Sequence, residues 1–268
     1  LKCIKLLNEH YGNKMVVICG ADGPLTIASH LLGIERLMTD MNDDPKFIHE
    51  LLDIAADISA VFSTAQIKAG VTIAHVGDPE AALLGPKLYK EFCHPVYVKI
   101  AKKWQAAAVP LPKEAGKELS PDSCAPRTQG AGMVACAAEP QESGLGAYRE
   151  AGKKDHATLY HFCGNAAVIF ADIAGTGVDM MDVDSLVPMK LAKELVGNVY
   201  LKGNVNPMLF IEADRQAMEG AVAGMIEEMG ERNFVIGTGC HIPGNTVPEK
   251  LVYYLDAARK HGARRYAV

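Results

Sequence analysis

The sequence predicts an α/β protein with a parallel β-sheet and, within that class, a single (β/α)8 TIM-barrel domain over residues 1–268. Two observations support this prediction. Short apolar, β-branched runs alternate with helical patterns along the chain, and strands that are joined through helices run parallel. Polar or glycine-rich loops follow nearly every run. An open sheet gathers ligands at one point, whereas a barrel collects residues from many strand ends on one face, so the wide distribution of these loops favours the barrel.

The individual elements follow from the same alternation. The predicted strands lie at about 15–20, 71–76, 158–162, 178–182, 199–201 and 234–237. The predicted helices lie at about 45–69, 87–103, 166–174, 186–196, 214–229 and 247–261. Each strand run is short and is followed by a turn signal, as in repeated βα units.

The helix at 45–69 has the clearest sequence signals. Asp44 is placed to cap it, Pro45 suits its first position and Gly70 suits its end. Its large apolar residues recur near a period of 3.6, which predicts that one face of the helix is buried. The residues of that face are Phe47, Leu51, Ile54, Ile58, Val61, Phe62 and Ala65.

Two features depart from a complete barrel. A closed barrel needs eight strands, two more than the sequence predicts, and the chain begins with Leu1 rather than Met, so we expect a barrel truncated at its N-terminus. Residues 104–150 contain five prolines and five glycines and show no hydrophobic period. A structureless loop of this length is unusual in a compact domain. We therefore predict an irregular, disordered insertion over 104–150.

Charge and cysteine content narrow the class of protein. A formal net charge of −5 and an isoelectric point near 6.0 give no electrostatic reason to expect nucleic acid or an anionic membrane as a partner. No apolar run approaches the roughly 20 residues that cross a bilayer. The seven cysteines are scattered and odd in number, unlike a secreted disulfide framework. These observations predict a cytoplasmic protein.

The strongest chemical signal is the sequence from His161 to Asn165 at the end of a predicted strand. Residues i and i+2 of a strand point to the same face, so His161 and Cys163 project together. Cys240 ends another predicted strand, and the strand ends of a barrel converge on one mouth. One imidazole and two thiolates suit a tetrahedral zinc ion with one position open. Free cysteines are also common core residues, and the spacing alone leaves both interpretations open.

Other polar residues near strand ends are candidates for substrate binding. They are Asp22, Asp78, Asn165, Asn204 and Asn206. For the aspartates and for the asparagines at 204 and 206, the alternative is structural: the side chain caps a helix or holds a turn.

Three further residues lie near the predicted mouth of the barrel. Asp182 is a candidate acceptor for the imidazole of His161 from outside the metal shell. His75 is more simply a core histidine than a ligand. His241 is left out of the ligand set, because neighbours in an extended chain point apart and Cys240 is already included.

Several of these elements resemble the uroporphyrinogen decarboxylase superfamily. The similarity covers about 11–103 and 151–265, and its motifs lie at 20–26, 77–81, 161–165, 203–207 and 239–243. In that superfamily, a zinc-binding His-x-Cys pair with a distant Cys marks the cobalamin-dependent methyltransferases of the methylcobamide:coenzyme M type, whereas the decarboxylases do not use this triad. The resemblance therefore implies that His161, Cys163 and Cys240 are zinc ligands.

The same resemblance implies an activity. It predicts methyl transfer between a corrinoid protein and a small thiol such as coenzyme M, with a zinc-bound thiolate as the nucleophile. The sequence contains no Asp-x-His-x-x-Gly cobalamin motif, so methylcobalamin would be carried by a partner corrinoid protein. Three alternatives stay open: a methyltransferase that demethylates a small donor and loads the corrinoid, a metal-free uroporphyrinogen decarboxylase, and a non-catalytic member that binds a partner.

Overall fold

A computed structural model describes residues 1–11, 16–107, 156–230 and 234–266, with side chains as far as residue 262. In these ranges the chain forms one six-stranded sheet in which each strand lies beside the next one along the chain, and every pair is parallel. The strands are β1 (Ile18–Asp22), β2 (Ile73–Gly77), β3 (Ala157–His161), β4 (Met180–Asp182), β5 (Tyr200–Val205) and β6 (Phe234–Thr238). The predicted parallel α/β sheet is confirmed; closure into an eight-stranded barrel stays a prediction.

Helices connect and flank the strands. The α-helices are Lys2–Tyr11, Pro24–Leu32, Ile34–Asp43, Pro45–Lys68, Pro86–Leu88, His94–Ala106, Phe170–Ala174, Met189–Leu195, Leu209–Glu212, Arg215–Met229 and Pro248–Tyr266. Short 3-10 helices lie at Pro79–Leu83 and Ala167–Ile169, and a π-helical turn at Tyr89–Cys93 divides the helix predicted at 87–103. None of the helices in the described ranges has the length and apolar character needed to cross a bilayer.

The two faces of the sheet carry different side chains. Ala74, Val76, Tyr160, Met181 and Leu201 belong to the large core that joins the sheet to the helices. The opposite face carries a separate small apolar cluster, formed by Ile73, Ala157, Leu159 and Met180 with Tyr200 and Val235 packed against it. Because side chains alternate along a strand, this second face continues towards the strand ends as the face of His161.

The helix Pro45–Lys68 begins and ends where the sequence predicts, but it buries a different face. The side chain of Asp44 accepts a hydrogen bond from the Phe47 amide at 3.2 Å, and Gly70 follows the helix with a φ of +96°. The prediction of the buried face is wrong. Ile54, Ile58, Val61 and Phe62 are each more than half exposed, Phe47 is 37% exposed, and Leu51 and Ala65 are half-buried.

Close packing explains which face the helix buries. The buried residues are Ile48, Leu52, Ala55, Ala56, Ser59, Ala60, Ser63, Gln66 and Ile67, of which five are Ala or Ser. Small side chains let the neighbouring helix His94–Ala106 approach, and the indole of Trp104, which is fully buried, donates a hydrogen bond to Ser63 Oγ at 2.7 Å. The choice of face depends on fit to these neighbours, which periodicity does not reveal.

The structure covers the predicted insertion at 104–150 and the seven cysteines only in part. Residues 104–107 of the predicted insertion belong to the end of helix His94–Ala106 and the residue after it, and the rest of 104–150 lies outside the described residues. Five of the seven cysteines fall within the described ranges, and all five are free thiols.

Candidate metal centre

The candidate centre lies along one row of the sheet. The strand register places Asp22 opposite Gly77, Gly77 opposite His161, His161 opposite Asp182, and Asp182 opposite Lys202. These residues share the face that carries the small apolar cluster, and they lie at or near the C-terminal ends of their strands. In parallel α/β proteins this is the edge where functional residues collect.

Three potential metal ligands meet at this edge. His161 Nε2 lies 3.0 Å from Cys163 Sγ, and Cys163 Sγ lies 3.6 Å from Cys240 Sγ. The three ligand atoms are all within 4.8 Å of one another. His161 is buried, whereas both cysteines are half-buried. The structure therefore brings together the residues that the sequence singles out, although 77 positions separate the two cysteines.

The geometry of the donor atoms fits a tetrahedral zinc ion. Zinc bonds of about 2.3 Å to sulfur and 2.0–2.1 Å to nitrogen place neighbouring ligand atoms roughly 3.5–3.8 Å apart. The sulfur–sulfur distance of 3.6 Å lies in this range and is far longer than the roughly 2.05 Å of a disulfide. The 3.0 Å between Nε2 and Cys163 Sγ is about 0.5 Å shorter than this range.

The electrostatics of the pocket fit a cation as well. Burial and the neighbouring Cys240 thiol raise the pKa of Cys163 to about 12, because both disfavour the thiolate. Burial lowers the pKa of His161, which favours the neutral imidazole that binds metal ions. A divalent cation among these three atoms would supply the positive charge that stabilises two thiolates.

Glycines and an aspartate position the two cysteines. Gly239 precedes Cys240 and donates its amide to Val205 O at 2.9 Å, and a Cβ at Gly239 would collide with the backbone of Ser185. Gly164, which follows Cys163, has a φ of +81° and donates its amide to Asp184 Oδ2 at 2.8 Å. The loops after β3, β4 and β6 are thus held against one another. Asp184 is not among the residues predicted from the sequence, although Asp184 follows Asp182 at the i+2 spacing of a strand.

Asp182 lies where the sequence analysis places it, beside the second nitrogen of the imidazole. Its Oδ2 is 3.5 Å from His161 Nδ1, which is within ion-pair range but does not form a hydrogen bond. The same oxygen accepts a hydrogen bond from Lys202 Nζ at 2.6 Å. His75 packs edge-to-face on His161 with ring centroids 6.0 Å apart, and burial lowers its pKa to about 4, so its ring is neutral.

Asp78 is fully buried, and its contacts are those of the structural alternative; a substrate contact by this residue stays a prediction. Its carboxylate accepts hydrogen bonds from the amides of Leu25 and Thr26 at 2.9 and 2.8 Å, from the Thr26 hydroxyl at 2.8 Å and from the Tyr97 hydroxyl. Burial outweighs these bonds and raises the pKa of Asp78 to about 6. The residue therefore caps the helix Pro24–Leu32, which precedes it, and does not cap the 3-10 helix that follows it.

The remaining candidates occupy different positions. Asn204 donates to the carbonyls of Asp184 and Val187 at 3.1 and 2.7 Å, which is the structural alternative. Asn206 is exposed and accepts from the Met208 amide at 2.9 Å. Asn165 and Asp22 are exposed, and Asn165 accepts from the Ala167 amide at 3.4 Å. Substrate contact by these exposed side chains stays a prediction.

Comparison with known proteins gives two kinds of relative. A methylcobamide:CoM methyltransferase of Methanosarcina mazei is 24% identical over 97% of this chain and 63% of its own length. A uroporphyrinogen decarboxylase of Pseudoalteromonas atlantica is 26% identical over 98% of this chain and 64% of its own length. The chain thus spans just under two thirds of these relatives.

A solved structure and a family model complete the comparison. The structure of a methyltransferase from Methanosarcina mazei superposes with a TM-score of 0.73 at 21% sequence identity, covering 97% of this chain and 63% of the other, and this supports the fold. The family model of uroporphyrinogen decarboxylase matches residues 1–118 and 144–261. These two segments include all six strands and the three residues of the candidate centre. The chain therefore belongs to the uroporphyrinogen decarboxylase family.

Proposed function

We propose that this chain is part of a zinc-dependent methyltransferase that moves a methyl group between a corrinoid protein and a small thiol such as coenzyme M. The observation that carries the proposal is the convergence of His161, Cys163 and Cys240 at one edge of the sheet. Relatives named as methylcobamide:CoM methyltransferases support it. At these identities the substrate and the direction of transfer are part of the proposal.

The roles of the residues follow from their exposure. His161 would bind zinc from the buried side of the site, and the half-buried sulfurs of Cys163 and Cys240 would bind it from the side nearer solvent. Bound zinc would act as a Lewis acid that keeps a thiol in its nucleophilic thiolate form at neutral pH. A small acceptor and the methylcobalamin of a partner corrinoid protein would both approach from the strand ends, where Asp22, Asn165 and Asn206 are exposed.

Metal analysis under reducing conditions tests the proposal directly. We expect about one zinc per chain in the purified protein, and loss of that zinc in Cys163→Ser and Cys240→Ser. Cys3→Ser is the matched control, because Cys3 is an exposed free thiol on the first helix. A wild-type protein without bound metal after incubation with zinc, or serine variants that keep it, would contradict the proposal.

The second candidate function is decarboxylation of a porphyrinogen, which the relative from Pseudoalteromonas atlantica supports at similar identity. The two functions differ in their need for the metal. Methyl transfer from methylcobalamin to coenzyme M should stop in Cys163→Ser and after treatment with a chelator. Carbon dioxide release from uroporphyrinogen by chelator-treated protein would establish the decarboxylase and overturn the methyltransferase.

A further inference from the structure

Lys202 is a charged residue on the same face of the sheet as His161, beside the candidate centre. Its Nζ lies 2.6 Å from Asp182 Oδ2, and the side chains of Lys202 and Asp182 are only 19% and 10% exposed. Lysine side chains with so little exposure are uncommon and are usually paired with an opposite charge. The register of β4 and β5 pairs these two residues directly, so the backbone itself brings the ammonium group to the carboxylate.

The oxygen that Lys202 holds is also the oxygen nearest to the imidazole. Asp182 Oδ2 lies 3.5 Å from His161 Nδ1, while Nε2 of the same ring faces Cys163 Sγ at 3.0 Å. A metal-binding histidine usually needs an acceptor on its second nitrogen, because that contact fixes the tautomer and the orientation of the ring. The other carboxylate oxygen, Asp182 Oδ1, is buried without a hydrogen-bond partner among the described residues. The contact with Lys202 is therefore the hydrogen bond that holds this carboxylate.

The charges around the candidate centre also support a role for Lys202. A dication with two thiolates and a neutral imidazole carries no net charge, and the Asp182 carboxylate would make this partly buried group of charges negative. The ammonium of Lys202 offsets the charge of Asp182 at a distance of 2.6 Å from its carboxylate, whereas the buried carboxylate of Asp184 accepts hydrogen bonds from the amides of Gly164 and Leu186. In an environment of low dielectric an uncompensated charge at Asp182 would be costly.

We infer that Lys202 is a positioning residue of the metal centre: it holds Asp182 so that Oδ2 faces His161 Nδ1 and Nε2 is presented to the two sulfurs. This inference rests on the proposed zinc site but goes beyond it, because it assigns an effect on metal binding to Lys202, a residue that is not a metal ligand. Lys202 acts through Asp182 and does not itself bind the metal.

The experiment compares metal binding and stability in matched variants. Zinc affinity is measured by chelator competition, and the ligand field is measured from the visible spectrum of the cobalt-substituted protein. We expect Lys202→Met to weaken zinc binding about 10-fold or more and to change the cobalt spectrum, as loss of an outer partner does. Lys202→Arg keeps the positive charge and should retain most of the affinity. Lys46→Met is the control, because Lys46 is 88% exposed on an outer helix.

A double variant separates a positioning role from a purely structural one. If Lys202 acts through Asp182, then Lys202→Met should weaken zinc binding little further in a protein that already carries Asp182→Asn. A folded Lys202→Met protein with wild-type zinc affinity and an unchanged cobalt spectrum would overturn the inference and leave the zinc site intact. Failure of the wild-type protein itself to bind zinc would instead overturn the proposed function.

Discussion

Asp78 illustrates how one buried side chain can organise a glycine-rich loop. Gly23 precedes the helix Pro24–Leu32, and a Cβ at this position would overlap the Asp78 side chain. The carboxylate can therefore approach the first turn of the helix and accept from the amides of Leu25 and Thr26. The loop from Gly23 to Thr26 thus contacts the residue after β2 through the Asp78 carboxylate, and this contact is structural.

We expect Asp78→Ala to lower the free energy of unfolding by about 2–4 kcal/mol, because it removes a helix cap and leaves buried donors without partners. Chemical denaturation of the metal-free protein measures this effect. Asp22→Ala is the control: Asp22 is an exposed aspartate at the end of β1, and a change of no more than about 0.5 kcal/mol is expected there. Similar losses for the two variants would mean that the Asp78 contacts contribute little.

At the scale of elements, the helix Pro45–Lys68 shows that an apolar residue in a helical pattern need not be buried. Ile48 is fully buried and Ile58 is 51% exposed, although both belong to apolar patterns of the same helix. Ile48→Ala should cost about 2–5 kcal/mol of stability, whereas Ile58→Ala should cost less than about 1 kcal/mol. The comparison is internally matched, since residue type, substitution and helix are the same. A loss for Ile58→Ala as large as that for Ile48→Ala in urea denaturation would contradict the expected dependence on burial.

A second prediction at the scale of elements concerns the turn after β6, which contains Gly239 and Cys240. Gly239→Ala should weaken zinc binding, because the added methyl group meets the Ser185 backbone and displaces the neighbouring Cys240. Gly244→Ala lies in the same connection, where a Cβ meets nothing within 4 Å, and it should leave zinc binding unchanged. Zinc content per folded chain is the readout. Full zinc content in Gly239→Ala would show that the turn yields without moving Cys240.

The sequence predicts the main elements of this fold but not all of them. All six strands are found, each close to its expected position, because apolar β-branched runs ending in turn signals are distinctive. The helices Pro24–Leu32 and Ile34–Asp43 were missed; they are only nine and ten residues long and are separated by the single residue Gly33. Pro24 at a first helical position is a usable sequence signal for the first of them.

Some features of the candidate site can be predicted from local sequence patterns, whereas others depend on contacts between distant parts of the chain. The convergence of His161, Cys163 and Cys240 could be expected, since alternation along a strand and the common edge of parallel strands are local rules. The contacts of Lys202 and Asp184 depend on the register between neighbouring strands and on the path of the loops. Neither is visible in the spacing of residues.

For the whole molecule, the candidate centre links metal binding to folding. Cys163 and Cys240 lie in loops after β3 and β6, 77 positions apart, so a shared metal ion would close a long loop between distant strands. A ligand that binds only the folded state stabilises it by about 2.7 kcal/mol at a free concentration 100 times its Kd. Zinc should therefore raise the midpoint of thermal unfolding, and a chelator should lower it to the value of Cys240→Ser. The Cys240→Ser protein should itself respond to neither reagent, whereas Cys3→Ser should behave as the wild type does. If zinc shifts wild-type and Cys240→Ser proteins equally, then it acts at another site, and the three residues that meet at the sheet edge do not form the metal centre.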